Sequence, residues 1–379
     1  MSQLLVTKDP NEPRVAVIRT SDSIQFKGCR RRWDWSSHLR GNMNPLIQAD
    51  PLWLGSGMHY ALEDFHGHQK YGTAAMAIMA YAFAFHKKYP DKVPPEWMEL
   101  LKLGVEMMEY YPVWLKNRPL LDTYVFNGQP QIEVSIKIPI DIGKLKNWQK
   151  IAKHWDQVVY SLTLDRAIVD EDKRVWIMEY KSAKVIKTAH YATDPQVSRY
   201  IWAADVVYDE PVAGVIYQQH RKDLPKPARV LLNGTISTAQ NQTTTHGLYR
   251  EALMNLYKDP SKFPEANLAL LNEFAKEENE DGDKFIRRDR IHRNCKTSES
   301  EAQKILLEVS DMLDPDLSIY PNPTRDCPNF CPFYSPCVSL DDGSDWKYQL
   351  EQGFEQRPAE YDEWREKLPD PTTFKGIKL

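Results

Sequence analysis

The sequence predicts an α/β protein in which helices flank a central mixed sheet. Apolar and polar residues alternate over 131–140, which is typical of a half-buried strand. Two strand-like segments, 158–169 and 175–180, are joined by the charged turn Asp170–Lys173 and predict a hairpin. Apolar residues also recur at helical spacing on both sides of these strands. These patterns together predict a sheet that is preceded by an N-terminal helical insertion.

Composition places the chain among globular proteins. Its 379 residues suffice for one large or two ordinary domains, and 42% are hydrophobic and 27% charged, as in soluble folds. No apolar run approaches the length of a membrane span, and residues 1–17 lack the order of a secretion signal, so we expect a cytoplasmic protein with no membrane partner. The net charge of −4 gives no overall attraction to nucleic acid, so DNA binding would need a local basic groove.

The first 120 residues are predicted to be mainly helical. After an irregular arm and a short strand within residues 1–20, Ser21 or Ser23 is expected to cap a short helix that ends near Cys29. Taken alone, Cys29 is a small buried residue and the three arginines behind it are a solvated face. A long helix, Met58–Tyr89, is predicted next, and the prolines at 94 and 95 separate it from a helix over Trp97–Lys116.

The hairpin carries a set of side chains that suits hydrolysis. Asp165 lies on its first strand, while Glu179 and Lys181 lie two positions apart on the second and point to the same face. Pairing across the short turn can bring Asp165 beside them. The carboxylates can hold Mg²⁺ or Mn²⁺, and the lysine can orient or deprotonate a water, as in metal-assisted phosphodiester hydrolysis. The alternative is a surface hairpin with solvated charges.

Further side chains are candidates for the same site. His59 shares a helix face with Glu63 and could be a third metal ligand, although the His-Glu-x-x-His order of zinc proteases is absent. Gln196 and Tyr200 lie four positions apart, and so on one face of a helix predicted over 194–207. This face could be directed toward the ends of the hairpin strands. The alternative for this pair is an exposed glutamine beside a packed tyrosine.

The remaining elements follow from shorter patterns. Glu133, on the strand 131–140, could belong to the site or lie on a solvated face, and the solvated face is favoured. Strands are predicted at 212–219 and 228–233, helices at 247–258, 265–278 and 299–313, and a solvated loop at 277–283. A basic cluster interleaved with Phe285, Ile291 and His292 would suit a DNA strand, and it suits a solvated face equally well. The cationic members of this cluster are Arg287, Arg288, Arg290, Arg293 and Lys296.

The cysteines indicate a metal rather than disulfides. The chain has five, an odd number, and Cys327, Cys331 and Cys337 fall within a short proline-rich segment. Three thiolates need a fourth ligand to complete a zinc site or to bind a cubane iron–sulfur cluster, and Cys29 and Cys295 are the candidates. The residues alone leave both metals open.

The order of these motifs resembles a known family. Asp165, Glu179-x-Lys181 and Gln196-x3-Tyr200 are similar to the motifs of the PD-(D/E)XK superfamily in its RecB-like branch, and Gly57-Met58-His59 with Leu62-Glu63 resembles the histidine motif of that branch. The cysteine pattern, one before and three after the core, resembles its iron–sulfur subgroup of AddB-type and CRISPR-associated exonucleases, which includes stand-alone phage forms. In those proteins two residues, rather than three, often separate the first two C-terminal cysteines.

This resemblance implies a restriction-endonuclease-like core and a role for each matching residue. His59, Asp165, Glu179 and the backbone carbonyl of Tyr180 would bind the catalytic Mg²⁺ or Mn²⁺, and Lys181 would activate the attacking water. Gln196 and Tyr200 would position DNA or the active-site loop. Cys29, Cys327, Cys331 and Cys337 would hold a [4Fe–4S] cluster and leave Cys295 free, with structural Zn²⁺ as the alternative. The implied regions are a cysteine segment with helices at 1–120, a nuclease core at 121–298, an iron–sulfur region at 299–340 and a peripheral tail at 341–379.

The implied function is a metal-dependent DNA exonuclease that acts on single strands or DNA ends. No Gly-x4-Gly-Lys-Ser/Thr motif is present, so unwinding would need a helicase or recombination partner, or the substrate is already single-stranded. Two alternatives stay open. One is a non-catalytic DNA-binding or scaffold protein of the same fold, and the other is a structure-specific endonuclease.

Overall fold

A computed structural model describes residues 13–357 except Gln48, Asn117, Leu120, Asp209 and Glu280, and it leaves the side chains of Asp50, Pro51 and Cys295 undescribed. The predicted N-terminal arm and residues 358–379 of the predicted tail lie outside the described residues. Within the described ranges, no helix combines the length and apolar character needed to cross a bilayer.

The strands are β1 Val15–Arg19, β2 Met43–Pro45, β3 Asp122–Thr123, β4 Val125–Phe126, β5 Gln129–Pro130, β6 Ile132–Ile140, β7 Gln157–Val169, β8 Val175–Ala183, β9 Val212–Arg221, β10 Ile286–Ile291 and β11 Phe354–Gln356. The helices are α1 Thr20–Gly28, α2 Arg30–Ser36, α3 Asp50–Glu63, α4 Ala74–Lys88, α5 Trp97–Leu115, α6 Trp148–Ile151, α7 Pro195–Val207, α8 His246–Tyr257, α9 Glu265–Glu277, α10 Cys295–Met312, α11 Cys327–Phe330, α12 Tyr334–Asp342 and α13 Trp346–Gly353.

Seven of these strands form one mixed sheet around β7. One edge of β7 pairs antiparallel with β6 along its length, as far as Arg166 opposite Ile132. The other edge pairs with two strands: β1 runs parallel up to Arg19 opposite Ser161, and β8 runs antiparallel from Met178 opposite Arg166. Strand β9 lies parallel to β8, and β10 antiparallel to β9. Residues 162–165 of β7 therefore border a gap between β1 and β8.

Helices cover both faces of this sheet. On β8, Trp176, Met178 and Tyr180 pack into a core with α3, α4 and α5. The alternate residues Val175 and Ile177 pack into a second core with α7 and α10. Successive side chains of a strand point to opposite faces, so burial on both faces explains why the first half of β8, residues 175–178, is continuously apolar. Glu179 and Lys181 continue the second set and therefore point toward α7.

Two regions extend this core. Residues 222–284, between β9 and β10, form a helical insertion with its own small core around Tyr249, Leu253 and Phe274. Near the C-terminus, Phe333 and Leu350 pack against Trp35, and β11 pairs with β2. The segment that follows Cys29 is thereby packed against the segment that carries the last three cysteines.

The predicted helix Met58–Tyr89 is wrong, because two helices replace it. Helix α3 begins earlier, at Asp50, and ends at Glu63, while α4 begins only after its cap Thr73. Between them, the buried carboxylate of Asp64 accepts the backbone N–H groups of Lys70 (2.9 Å) and Tyr71 (3.1 Å). A π-helical turn over Asp64–His68 follows α3, and these bonds turn the chain out of the helix after it. The apolar spacing is also interrupted here, since Tyr71 is the only large apolar residue between Phe65 and Ala74.

Other local predictions also need correction. The serines do not cap α1: it follows Arg19, whose N–H donates to Asp22 (3.0 Å), and Ser23 is buried inside the helix. Residues 228–233 form no strand, since Val230 makes only an isolated bridge with Ile236. The loop at 277–283 is not wholly solvated, because Asp283 is buried.

The helix predicted at 299–313 begins earlier, at Cys295. Asn294 caps it by accepting the backbone N–H of Thr297 (2.9 Å).

Candidate active site

Asp165 links β7 and β8 where their ladder ends. Arg166 of β7 and Met178 of β8 are the paired residues at this end of the ladder. Two residues further along β8, the backbone N–H of Tyr180 donates to Oδ2 of Asp165 (2.7 Å). The side chain of Asp165 thus takes a bond that β7 backbone would accept in a regular ladder, and the carboxylate is held beside the gap.

Glu179 lies almost fully buried between its neighbour Lys181 and helix α7. Its Oε1 contacts the ammonium group of Lys181 and accepts a hydrogen bond from Nε2 of Gln196 (3.1 Å). The same nitrogen of Gln196 lies 2.5 Å from the hydroxyl of Tyr200, one helical turn further along α7. Oε2 of Glu179 is buried and has no hydrogen-bond partner among the described residues. The structure therefore places these four side chains together, with one carboxylate oxygen available to a further ligand.

His59 reaches the gap from the helical layer. Its neighbours Met58 and Leu62 pack into the core against the sheet and fix the position of α3. Nδ1 of His59 lies 3.3 Å from Oδ1 of Asp165 and 3.5 Å from Oε1 of Glu133. A histidine on a helix before the sheet therefore stands beside the strand carboxylates.

Glu133 corrects an expectation, because it lies in this group rather than on an unrelated solvated face. It falls between the pairs Ile132–Arg166 and Val134–Leu164, and so directly opposite Asp165 in the register. Its φ of +49° is unusual for a residue with a side chain, and such conformations cluster at functional sites. The signal that could have located Glu133 is the antiparallel register between 131–140 and 158–169, which the sequence does not specify residue by residue.

Burial and neighbouring charges shift the pKa values of the side chains in this group. Burial alone would lower the pKa of His59, but hydrogen bonds to Asp165 and Glu133 and the nearby negative charge raise it to about 10. Burial raises the pKa of Glu179 to about 7, the charge of Asp165 adds to this effect, and Lys181 opposes it. Burial would lower the pKa of Lys181, yet the charges of Glu179 and Asp165 raise it above its ordinary range. The site is thus an anionic centre that stabilises positive charge.

The residues present fit a divalent cation. One ligand atom from each of His59, Glu133 and Asp165 lies within 4.8 Å of the others. The unpaired Oε2 of Glu179 offers another oxygen on the adjacent strand. Carboxylate oxygens with one imidazole suit Mg²⁺ or Mn²⁺, and thiolates, which would select softer metals, are not part of this group.

Cavities open on both sides of the group. One, of about 540 Å³, is lined by His59, Glu133 and Lys181. Another, of about 910 Å³, is lined by Gln196 and Tyr200 and continues to Arg19 and Lys137. The carboxylates therefore stand between two spaces, and cationic side chains line the larger one.

The four cysteines of the predicted cluster line one cavity. Cys29, from the N-terminal segment, faces the same space as Cys327, Cys331 and Cys337. Backbone and hydroxyl hydrogen bonds from Thr324 lower the pKa of the Cys327 thiol, whereas burial raises the pKa of the Cys331 thiol. Among the described residues, no three cysteine sulfurs lie within 4.8 Å of one another.

The basic cluster is not a DNA face with interleaved aromatic rings. Phe285 and Ile291 are buried in the cores on the two sides of the sheet. Arg288 is also buried, and its Nε donates to Oε1 of Gln218 (2.7 Å). Arg287 and Arg290 pair with Asp289 and Asp281. The interpretation as a DNA-binding face with interleaved rings is therefore wrong, because Phe285, Ile291 and Arg288 are buried, while the exposed Arg287 and Arg290 lie on the edge strand β10.

A mixed sheet that joins carboxylates, a lysine and a histidine beside a gap in its central strand pairing has the architecture of a hydrolytic nuclease. The chain belongs to the PD-(D/E)XK nuclease superfamily, whose family model matches residues 21–338. Nucleases of this superfamily generally use divalent metals, in agreement with the donor set above. The match confirms the predicted fold class and superfamily. A comparison with curated proteins found no match.

Proposed function

We propose that the protein is a Mg²⁺- or Mn²⁺-dependent DNA exonuclease that acts on single strands or DNA ends. The observation that carries this proposal is the convergence of His59, Asp165 and Glu133 within 4.8 Å, next to the unpaired oxygen of Glu179. The superfamily supports hydrolysis of nucleic acid. The finer assignment, to exonucleases of the RecB-like branch, rests on the resemblance of the motifs.

Each residue has a role in this proposal. His59, Asp165, Glu179 and the carbonyl of Tyr180 would hold the ion, and the position of Glu133 adds a further oxygen ligand. A bound ion supplies Lewis-acid stabilisation of the phosphoryl oxygens and lowers the pKa of an attached water. Lys181 orients the attacking water or stabilises the charge that develops on the phosphate. Gln196 is a positioning residue, because it donates to Glu179 and contacts Tyr200.

The substrate must bind through local charge, since the chain carries a net charge of −4. The 910 Å³ cavity with Arg19 and Lys137 along its wall is a candidate path for a strand that approaches the carboxylates. Because no phosphate-binding helicase motif is present, we propose that separated strands come from another protein or from the DNA end itself. A cytoplasmic location remains a prediction of the sequence.

We further propose a [4Fe–4S] cluster at the four cysteines. A single zinc ion would bind all four thiolates at about 2.3 Å, whereas a cubane places one thiolate on each of its four irons. What supports the cluster is that Cys29 lines the same cavity as the three C-terminal cysteines, in the order that resembles the iron–sulfur subgroup. Such a cluster would tie the segment before the core to the segment behind it and restrict the unfolded chain. Structural zinc is the alternative.

Digestion of an end-labelled single strand with Mg²⁺ or Mn²⁺ tests the function. We expect mononucleotides or short products from the end, and a loss of about 100-fold or more in rate for Lys181→Ala and for Asp165→Ala. The exposed Lys184, just beyond β8, provides the matched control, since Lys184→Ala should retain activity. Full activity of Lys181→Ala or Asp165→Ala would overturn the proposal. Rapid cleavage of a circular single strand would instead identify an endonuclease.

A further inference from the structure

A hairpin tip in the helical insertion exposes consecutive apolar side chains. Val230 is 61% exposed, Leu231 is 43% exposed and Leu232 is fully exposed. We call these three residues the apolar tip. Large exposed apolar groups that stand together usually mark a binding surface.

The apolar tip is held in place by defined bonds. The N–H of Leu231 donates to the carbonyl of Thr235 (2.8 Å), across a turn in which Gly234 has a φ of +78°. The side chain of Asn233 accepts from the N–H and hydroxyl groups of Thr235. At the base, Ile236 is buried in the core of the insertion. A turn fixed by these hydrogen bonds therefore presents the apolar tip outward. Gly234 permits this turn, because it adopts a backbone conformation that other residues rarely take.

The insertion leaves the sheet at the edge that carries the catalytic candidates. Strand β9 is parallel to β8, with Gln219 beside Lys181 and Arg221 beside Ala183. The next residue, Lys222, donates its N–H to the carbonyl of Ala183 (2.8 Å). The chain that leads to the apolar tip thus starts beside the end of the strand that bears Glu179 and Lys181.

The charge around the apolar tip favours nucleic acid as its occupant. The segment that leads into the tip, residues 222–229, holds three cations, Lys222, Lys226 and Arg229, and a single acid, Asp223, whereas the remainder of the insertion is acidic. Lys226 and Arg229, just before the tip, are exposed. This local excess of positive charge contrasts with the net charge of −4 of the whole chain. Cations suit phosphates, and apolar wedges such as leucine enter between base pairs and unstack them.

We propose that the apolar tip is a wedge that opens the end of duplex DNA, with Lys226 and Arg229 on the phosphates, so that one strand enters the active site unpaired. This inference rests on the proposed nuclease function and extends it to the choice of substrate. It supplies a way for the chain to act on duplex ends without a helicase motif. A protein partner at the same surface is the competing explanation that the experiment separates.

The test separates duplex opening from cleavage. A blunt duplex with 2-aminopurine in its terminal base pair is mixed, in EDTA, with the Lys181→Ala protein, and the rise in fluorescence reports unstacking. We expect Leu231→Ser with Leu232→Ser, in the same background, to reduce this rise about tenfold, as removal of a wedge implies. The matched control is Leu256→Ser, which changes another exposed leucine of the insertion and should leave the signal unchanged.

A second measurement uses the active protein. The ratio of duplex to single-strand digestion rates should fall about tenfold in the Leu231→Ser, Leu232→Ser protein and stay constant in Leu256→Ser. An unchanged ratio with an unchanged fluorescence rise would overturn the wedge, and so would an equal loss on both substrates. A change from dimer to monomer on size-exclusion chromatography, without loss of fluorescence, would identify a protein contact instead. Because the fluorescence assay needs no cleavage, failure of the nuclease proposal would be seen separately.

Discussion

Nδ1 of His59, on helix α3, lies 3.3 Å from Oδ1 of Asp165, on the central strand β7. Core packing produces this contact, since Met58 and Leu62 anchor α3 against Met178 and Tyr180 of the sheet. The same strand pair orients the carboxylate, because Tyr180 donates its N–H to the other oxygen of Asp165 (2.7 Å). The position of the candidate metal site therefore depends on the hydrophobic core as much as on the charged residues.

Metal binding should release protons. At pH 7 His59, with a pKa of about 10, is protonated, and Glu179, with a pKa of about 7, is partly protonated. Both must lose their protons to act as ligands, so affinity for Mn²⁺ should rise with pH through this range. Titration calorimetry in buffers of different ionisation enthalpy should show about one to two protons released per ion at pH 7, and fewer at higher pH. Heats that do not depend on the buffer would contradict this.

Glu133→Gln should weaken Mn²⁺ binding about tenfold or more, because it removes a carboxylate that lies 3.5 Å from His59. The fold should persist, since Glu133 is partly exposed. The exposed Glu109 on α5 offers a control of the same chemistry, and Glu109→Gln should bind as the parent does. Equal Mn²⁺ affinities of the Glu133→Gln protein and the parent would show that Glu133 is not a metal ligand and only lies on a solvated face.

The proposed cluster in the cavity lined by the four cysteines predicts an optical signal. Protein purified without oxygen should be brown, with an absorption band at about 400 nm, and should contain iron and sulfide. Cys331→Ser should remove the band and lower the melting temperature, because a cluster bound in this cavity would join the segment of Cys29 to the segment of the last three cysteines. Cys295→Ser should keep both properties. A colourless parent protein with one zinc ion per chain would replace the cluster with a zinc site.

His220 should make the fold sensitive to acid. Burial, followed by the charge of Arg288, lowers the pKa of His220 to about 3, while the unfolded chain titrates near the ordinary value of 6.5. The unfolded state therefore binds the proton first, and the stability contributed by neutral His220 is present above pH 6.5 and is lost as the pH falls toward 3. Urea unfolding of the parent should lose about 1.4 kcal/mol per pH unit more than that of His220→Gln in this window. Parallel stability curves would contradict the assignment.

Local patterns predicted much of the fold, because they depend on residues close in sequence. The hairpin 158–180, the helix with Gln196 and Tyr200 and the shared face of Glu179 and Lys181 follow from strand and helix periods. The break between α3 and α4 was missed although the sequence marks it, since Gly67 and Gly72 interrupt the apolar spacing between Phe65 and Ala74.

Contacts between segments that are distant in sequence were harder to predict. The place of Glu133 depends on the register between β6 and β7, and the burial of Arg288 depends on strands at the far side of the sheet. The residues alone offered His59 as a possible third metal ligand, and the resemblance of the motifs placed it beside Asp165, because no local period joins a helix to a strand so far along the chain.

The central claim is that one divalent ion binds at the gap beside β7. Diffraction from crystals of the protein soaked in Mn²⁺, recorded where manganese scatters anomalously, tests this most directly. We expect an anomalous difference peak within coordination distance of His59, Asp165 and Glu179, which should disappear in Asp165→Ala. A protein that digests DNA with Mn²⁺ while its crystals show no such peak at these residues would contradict the claim.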